Sequence, residues 1–244
     1  AMLVSTWIVY EQLDFMRNKD LGYNKEQVMT VGLSREDLVN YAVFRNEVLK
    51  NPHIETIGTA NQRASNINSR TIFSVEGANG MEEKAFRPLT IDHHFVKAMN
   101  MTILEGRNFS EDIPADTLNG VIINQETASR MSWDKPLGKK VMVEGRRGTE
   151  PTTATVVGVL KDFHQQSLHS TIEPMILNYY PENPVLHIKL NTEQIAQTVR
   201  ELEGAWKQVF PDKPFDYNFL DQDFQNAYEA DARRGEIFTI FSVL

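Results

Sequence analysis

The stretch VVGVLKDFHQQSLH, residues 156–169, carries the most weight in assigning a fold to this chain. It begins with an apolar run and continues into a polar turn, a pattern that indicates a buried strand ending at the turn. Asp162, His164 and His169 lie on the polar part, and residues of these types serve in metal sites and in acid–base catalysis. The first question is therefore whether the stretch is a chemical site or a structural one.

The spacing of the histidines favours a structural role. His164 and His169 are separated by about 140° on a helix and point to opposite faces of a strand. Asp162 and His164 share a strand face, but a metal site needs a third ligand, which His93 and His94 supply only if the fold brings them close. We therefore interpret the stretch as a polar strand end with no catalytic, cofactor or metal residues, and keep metal binding as the alternative.

The two ends of the chain show the same order of elements. QVMTVGL, residues 27–33, and HIETIGTA, residues 53–60, are strand patterns on either side of a helix with one apolar face. VLHIKL, residues 185–190, and FDYNFL, residues 215–220, flank a second amphipathic helix in the same way. We expect the two units to share one sheet whose helices cover a single face, because neither unit alone can bury its apolar side.

The residues between these units, 66–176, contain short strand patterns punctuated by Gly and Pro. Two short helices are predicted there, with Asp92 and Asn124 as their N-caps. This segment is therefore predicted to be a β-rich subdomain inserted into the first one, and the fold class to be α+β. The predicted division is 25–65 with 177–222 for the αβ subdomain and 66–176 for the insertion.

Composition excludes several classes of function. The chain has 244 residues, a formal net charge of −8 and a pI near 5.3, with 25 basic residues scattered among 33 acidic ones. A nucleic-acid groove requires clustered Lys and Arg, so we expect no nucleic-acid partner. Absence of cysteine excludes disulfides, thiolate metal sites and a cysteine nucleophile.

Recognisable catalytic signals are absent from the sequence. It contains no nucleophile elbow, zinc-protease motif or phosphate-binding loop, so we expect that this chain is not an enzyme and needs no cofactor. The acidic pairs Glu82-Glu83 and Glu111-Asp112 lie in polar sequence and are expected to be solvated loops. Met residues are expected to fill the core, namely Met81, Met99, Met101, Met131 and Met142.

The chain begins AMLVSTWIVY and stops at GEIFTIFSVL, so both ends are apolar. A transmembrane helix needs about 20 apolar residues, and each end is shorter than that. We interpret residues 1–24 and 223–244 as membrane-proximal helices that lead into transmembrane segments of a longer parent. The alternative is a pair of amphipathic helices packed on the domain. The first interpretation predicts that the two ends emerge close together on one side.

Several segments, in order, resemble the extracytoplasmic domain of MacB-like and FtsX-like permeases of ABC transporters. QLDFMRNKDLGYNKEQVMTV, residues 12–31, is similar to the segment that leaves the first transmembrane helix. IDHHFVKAMNMTILEGRNFSED, residues 91–112, followed by GVIINQETASRM and KPLGKKV, matches the middle of the family pattern. TATVVGVLKDFHQQSLHSTIEPMIL, residues 153–177, completes it, which makes the opening stretch a structural signature of the family.

The resemblance implies a porter-like αβ subdomain made from both ends of the chain, with a Sabre-like subdomain inserted between. It also implies an inner-membrane parent with this domain on the periplasmic side, a second copy of the permease or its homologous half, and a cytoplasmic ABC ATPase. A periplasmic adaptor or outer-membrane protein is a further implied partner. The implied function is to couple ATP hydrolysis to movement outside the membrane, for export or extraction of a peptide, antibiotic, toxin or lipoprotein.

Two other functions stay open at the level of the sequence. A ligand-sensing domain of a membrane receptor is also carried between two membrane helices, but it should contain one enclosed apolar pocket with convergent polar groups. A membrane-anchored hydrolase should instead show a cleft with a strongly shifted pKa at His164 or Asp162. The coupling function further predicts that the isolated domain is monomeric or weakly dimeric, because membrane helices and ATPases hold the full assembly together.

Overall fold

The computed structural model describes residues 27–143, 150–165 and 171–222. The membrane-proximal segments predicted for residues 1–24 and 223–244, and with them the predicted closeness of the two ends, lie outside this range. The strands within it are β1 (Val28–Gly32), β2 (Ile54–Ala60), β3 (Thr71–Gly77), β4 (Gly80–Ile91), β5 (Ile103–Gly106), β6 (Gly120–Asn124), β7 (Lys140–Val143), β8 (Thr152–Leu160), β9 (Met175–Tyr179), β10 (Val185–Leu190) and β11 (Tyr217–Phe219). The helices are α1 (Tyr41–Val48), which follows a 3-10 turn at Asp37–Asn40, α2 (Phe95–Ala98), α3 (Pro114–Asn119), α4 (Gln125–Arg130) and α5 (Ile195–Val209).

Six strands close into a ring in the order β4, β3, β7, β8, β6 and β9. The ring closes because β9 pairs antiparallel with β6 on one side and parallel with β4 on the other. Each of the six strands contributes to one buried apolar cluster, as expected for side chains that fill a small closed barrel. That cluster contains Phe73, Val75, Phe86, Val121, Ile123, Trp133, Val141, Ala154, Val156, Val159 and Ile176.

A second group of strands forms an open antiparallel sheet in the order β11, β1, β10 and β2. The helices α1 and α5 pack against residues of this sheet in a separate apolar cluster. Phe44 of α1 meets Trp206 of α5 edge to face, with ring centroids 5.3 Å apart. The amphipathic pattern of α5 explains its placement, because Val199, Leu202 and Trp206 lie on one helical face and are buried.

The junction between the open sheet and the ring depends on few backbone contacts. Ala60 of β2 and Ile91 of β4 form the pairing between these two strands. Directly after β4, the buried Asp92 accepts hydrogen bonds from the backbone N–H of Phe95 at 2.8 Å and of His94 at 3.1 Å. The N-cap of α2 is therefore His94 rather than the predicted Asp92, whose carboxylate instead holds the turn before the helix. Burial raises the pKa of Asp92 to about 7. Its own N–H donates to the Thr59 carbonyl of β2, which ties this turn to the open sheet.

The predicted α+β class is confirmed. β1 and β11, from opposite ends of the described chain, are paired, with Met29 opposite Phe219. The boundary predicted at 176/177 falls inside β9, and pairing with β4 continues to Tyr179. The division into two subdomains remains a prediction.

Two expectations about surface and core are wrong. Met81 and Met142 are 48% and 40% exposed, whereas Met99 and Met101 are buried as expected. Met142 follows the buried Val141 on β7, so the alternation of side chains along that strand places it outside. Met81 lies in the first half of β4, residues 80–85, where none of the side chains is buried. Glu82-Glu83 are in β4 rather than in a loop, although Glu83 is exposed.

Candidate functional site

Asp162, the first candidate residue after β8, caps a helix. Its Oδ1 accepts a hydrogen bond from the backbone N–H of Glu126 at 2.9 Å, and its own N–H donates to Gln125 Oε1 at 3.1 Å. The first N–H groups of a helix have no partner within the helix, so this carboxylate satisfies a group that α4 leaves open. Burial raises the Asp162 pKa, which the hydrogen bond from Glu126 only partly opposes.

Asn124, the last residue of β6, joins the same helix to the start of β9. Its Oδ1 accepts hydrogen bonds from the Thr127 N–H at 3.2 Å and from the Met175 N–H at 2.9 Å, and its Nδ2 donates to the Glu173 carbonyl at 3.0 Å. The predicted N-cap at Asn124 is therefore present. Because Asn124 is fully buried, its amide also holds the chain that enters β9.

Gln165 and Glu173 bond to each other across the segment between β8 and β9. The Gln165 side chain donates to the Glu173 carbonyl at 2.7 Å and accepts from the Glu173 N–H at 3.0 Å. The buried Gln165 amide thus takes the place of a backbone partner for the backbone N–H and C=O of Glu173. The Gln165 carbonyl in turn accepts from the Ile67 N–H at 3.1 Å, so the same residue anchors the chain that precedes β3.

The Glu173 carboxylate binds two arginines. Arg70 donates through Nε at 2.8 Å and through Nη2 at 2.6 Å, and Arg87 donates through Nη2 at 2.7 Å. Hydrogen bonding to Arg70 and Arg87 lowers the pKa of Glu173 to about 2. Arg87 is buried and also donates to the Ile67 carbonyl. The Glu173 carboxylate is therefore the counter-charge of a buried guanidinium.

The histidine candidates are not assembled into a metal site within the part of the chain that the structure describes. His93 and His94 have ring centroids 3.8 Å apart, but His93 Nδ1 is 3.3 Å from the Tyr179 hydroxyl and His94 Nε2 contacts Arg45 at 2.5 Å. Burial, with His93 and Arg45 nearby, lowers the pKa of His94 to about 4. His164, which follows β8, is half-buried, and His169 lies outside the described residues.

The groups that converge between β8 and β9 are Asp162, Gln165 and Glu173. They bond to backbone groups or to arginine, and these bonds hold the ends of the two strands and α4 together. Gln165, Glu173 and Arg87 were not predicted from the sequence. One signal could have indicated Arg87, because an arginine inside an apolar strand pattern needs a buried acidic partner.

A groove of about 430 Å³ lies between the end of α1 and the face of α5. Its rim carries charged side chains, among them Glu47, Lys50 and Glu201. Glu201 accepts a hydrogen bond from the Asn51 amide at 2.6 Å, and Glu47 forms an ion pair with Lys50, so each of these charged groups has a partner within the domain. The groove differs from the enclosed apolar pocket expected of a ligand-sensing domain.

Comparison with known proteins agrees with this architecture. The sequence matches the MacB-like periplasmic core domain family over residues 16–204, which is most of the chain. The chain belongs to this family. It is a periplasmic domain of a MacB-like ABC transporter permease, and the resemblance seen in the sequence is confirmed. Among curated proteins, none matches this MacB-like domain significantly.

Solved structures share the fold of this MacB-like domain at low sequence identity. The periplasmic region of MacB from Actinobacillus actinomycetemcomitans has 18% identity and a TM-score of 0.54, with 84% of this chain and 94% of that chain covered. The extracellular domain of the noncanonic ABC-type transporter YknZ from Gram-positive bacteria has 14% identity and a TM-score of 0.50, with 78% and 97% covered. A domain of a putative permease from Porphyromonas gingivalis has 12% identity and a TM-score of 0.50, with 80% and 90% covered.

Family membership places the domain with transporter permeases that work with an ATPase, and the matched domains are not enzymes. Within the described residues, no helix has the length and apolar character that crossing a bilayer requires.

Proposed function

We propose that this MacB-like domain transmits movement of its parent's membrane helices, driven by a cytoplasmic ABC ATPase, to the outside of the membrane. In this function, two copies of the domain, or two homologous halves, approach and separate during the ATP cycle. The moving domains drive export or extraction of a substrate such as a peptide, antibiotic, toxin or lipoprotein, together with a periplasmic adaptor or an outer-membrane partner.

The proposal rests on one observation, the buried contacts that join the ring to the open sheet. β2 and β4 share the Ala60–Ile91 pairing, while α2 lies on β2 and connects to Asp92. A third apolar cluster joins both parts, since it contains Val28 and Ala60 of the open sheet and Leu89, Ile91 and Leu177 of the ring. Buried, close-packed contacts of this kind transmit displacement instead of absorbing it.

The groups described between β8 and β9 support the same function. They hold α4, β9 and the chain before β3 together by hydrogen bonds to buried side chains. A domain that transmits force needs internal connections of this sort, whereas a sensor needs a cavity and a hydrolase needs a nucleophile with a base. The open, charge-rimmed groove between α1 and α5 does not favour the sensor.

Disulfide crosslinking in the full permease tests the proposal. The sequence contains no cysteine, so introduced cysteines are the only ones in this domain. Val39→Cys and Ile72→Cys, at positions 79% and 67% exposed, would report on contact between two copies at the 3-10 turn before α1 and at the ring, respectively. We expect the crosslinking yield of at least one variant to change between nucleotide-free, ATP-bound and ADP-bound permease.

A matched pair within one domain controls for reactivity. Ile72 and Ala85 are directly opposite on β3 and β4, so cysteines at both positions should form a disulfide in every nucleotide state. The isolated domain should stay monomeric at micromolar concentration in sedimentation experiments, because a large permanent interface would hold one state. Mechanical coupling would be contradicted if the yield of intermolecular disulfide were the same in every nucleotide state while the control pair still formed its disulfide.

A further inference from the structure

The turn between β3 and β4 contains an asparagine followed by glycine, and it is fully open to solvent. Gly77 of β3 is paired with Gly80 of β4, which leaves Ala78 and Asn79 as the connecting residues. Asn79 and Gly80 are both exposed, and Gly80 has φ of +123°, a conformation that side chains rarely allow. A Cβ atom built on Gly80 would meet no atom within 4 Å apart from its chain neighbours, so no other part of the domain packs against Gly80 at that position.

We propose that Asn79 is a site of spontaneous modification, at which its side-chain amide is converted to a carboxylate. The Gly80 backbone nitrogen loses its proton and attacks the Asn79 Cγ, so that an N–Cγ bond forms and the Cγ–Nδ2 bond breaks. The side-chain nitrogen leaves as ammonia, and a cyclic succinimide remains. Water then opens the ring at either carbonyl, which leaves aspartate or isoaspartate at position 79. Solvent water is the only co-reactant, and asparagine is among the thermolabile residues for this reason.

The tertiary structure distinguishes this turn from a second Asn-Gly pair in the same chain, Asn119-Gly120. Gly120 is buried, begins β6 and is opposite Thr155 of β8. A Cβ atom on Gly120 would be 3.1 Å from the Cα of Asp116, so the backbone there is packed against α3. Ring closure requires the glycine nitrogen to turn toward the preceding side chain, and at Gly120 this movement first requires local opening of β6.

The modification changes both the charge and the geometry of the hairpin. A carboxylate at position 79 adds negative charge to a chain whose formal net charge is already −8, near Glu76, Glu82 and Glu83 of the same hairpin. Isoaspartate also inserts an extra carbon into the main chain, which disturbs the short connection between paired strands. We therefore expect the end of the hairpin, but not the ring core, to loosen in the isoaspartate form.

Peptide mapping by mass spectrometry tests the proposal on the intact chain. Trypsin releases residues 71–84 and residues 108–130 as separate peptides, each with one of the two Asn-Gly pairs. After incubation of the folded protein at mildly alkaline pH, we expect Asn79 to be converted at least about tenfold faster than Asn119. A tenfold difference corresponds to a local opening cost of about 1.4 kcal/mol at the protected pair.

Two controls make the result decisive. In concentrated urea both pairs should react at similar rates, since their local sequence chemistry is the same. Asn79→Gln should abolish the change in the 71–84 peptide and remove the more acidic species from ion exchange, because the longer side chain forms the ring far less readily. Equal rates at Asn79 and Asn119 in the folded protein, or an Asn79 that reacts only after unfolding, would overturn the proposal.

Discussion

The backbone of Phe95, at the start of α2, lies directly on Gly58 of β2. A Cβ atom at position 58 would be 2.4 Å from the Phe95 Cα and 2.6 Å from its nitrogen. The Phe95 ring also meets His187 of β10 edge to face, with centroids 5.0 Å apart. The short helix that follows β4 is therefore seated on the open sheet at a place where only glycine fits.

Gly58→Ala should destabilise the domain. The added methyl group overlaps backbone rather than a movable side chain, so α2 must shift away from β2, at a cost of about 1–3 kcal/mol. Urea unfolding measures the effect. Gly32→Ala is the matched control, because a Cβ there meets no other atom within 4 Å, and its stability should change by less than about 0.5 kcal/mol. Equal stabilities of the two variants would contradict the close packing.

Glu173→Gln should lower stability at neutral pH by about 2 kcal/mol, because the buried Arg87 loses its charged partner. Arg70 and Arg87 lower the folded pKa of Glu173 from 4.5 to about 2, so the ionised pair stabilises the fold above pH 4.5. That contribution disappears as the pH falls from 4.5 toward 2. Unfolding curves over this range should show a smaller acid dependence for Glu173→Gln than for the wild type. Arg70→Gln, which removes the exposed partner, should cost less than about 1 kcal/mol.

The substitutions Asp162→Asn and Asp162→Ala should change the free energy of unfolding by different amounts. Asn keeps the oxygen that accepts from Glu126, whereas Ala removes the cap and should cost about 1 kcal/mol. Because burial raises the folded pKa of Asp162, its contribution to stability is largest below its unfolded pKa and falls as the pH rises through the folded value. Asp162→Asn should therefore match or exceed the wild type at pH 7 in thermal unfolding. An Asn variant clearly less stable than the wild type at pH 7 would argue for a role of the charge itself.

His164→Ala should lower stability by about 1 kcal/mol through loss of a structural interaction. Calorimetric unfolding of the two proteins measures this difference. Metal analysis of protein purified with and without chelator should give no stoichiometric zinc or iron in either variant. Stoichiometric metal that binds the wild type and not His164→Ala would revive the metal-site interpretation.

The local features of this domain followed from the sequence. Asn124 bonds to Thr127, and Asp92 bonds to Phe95, three residues further along in each case, so these hydrogen bonds depend on neighbours that the sequence displays. The strand and helix patterns at both ends also indicated which faces are buried, since alternation and the helical period are properties of a short window.

Tertiary structure alone decided the contacts that give the domain its form. The pairing of β9 with β4 closes the ring, Arg87 meets Glu173 across 86 positions of sequence, and Phe95 rests on Gly58. Met142 is exposed for a related reason, because the face of a strand that points inward is defined only when its partners and the ring closure are known. Local hydrogen bonds and periodicity are encoded over a few residues, whereas these contacts exist only after distant segments have met and excluded water between them.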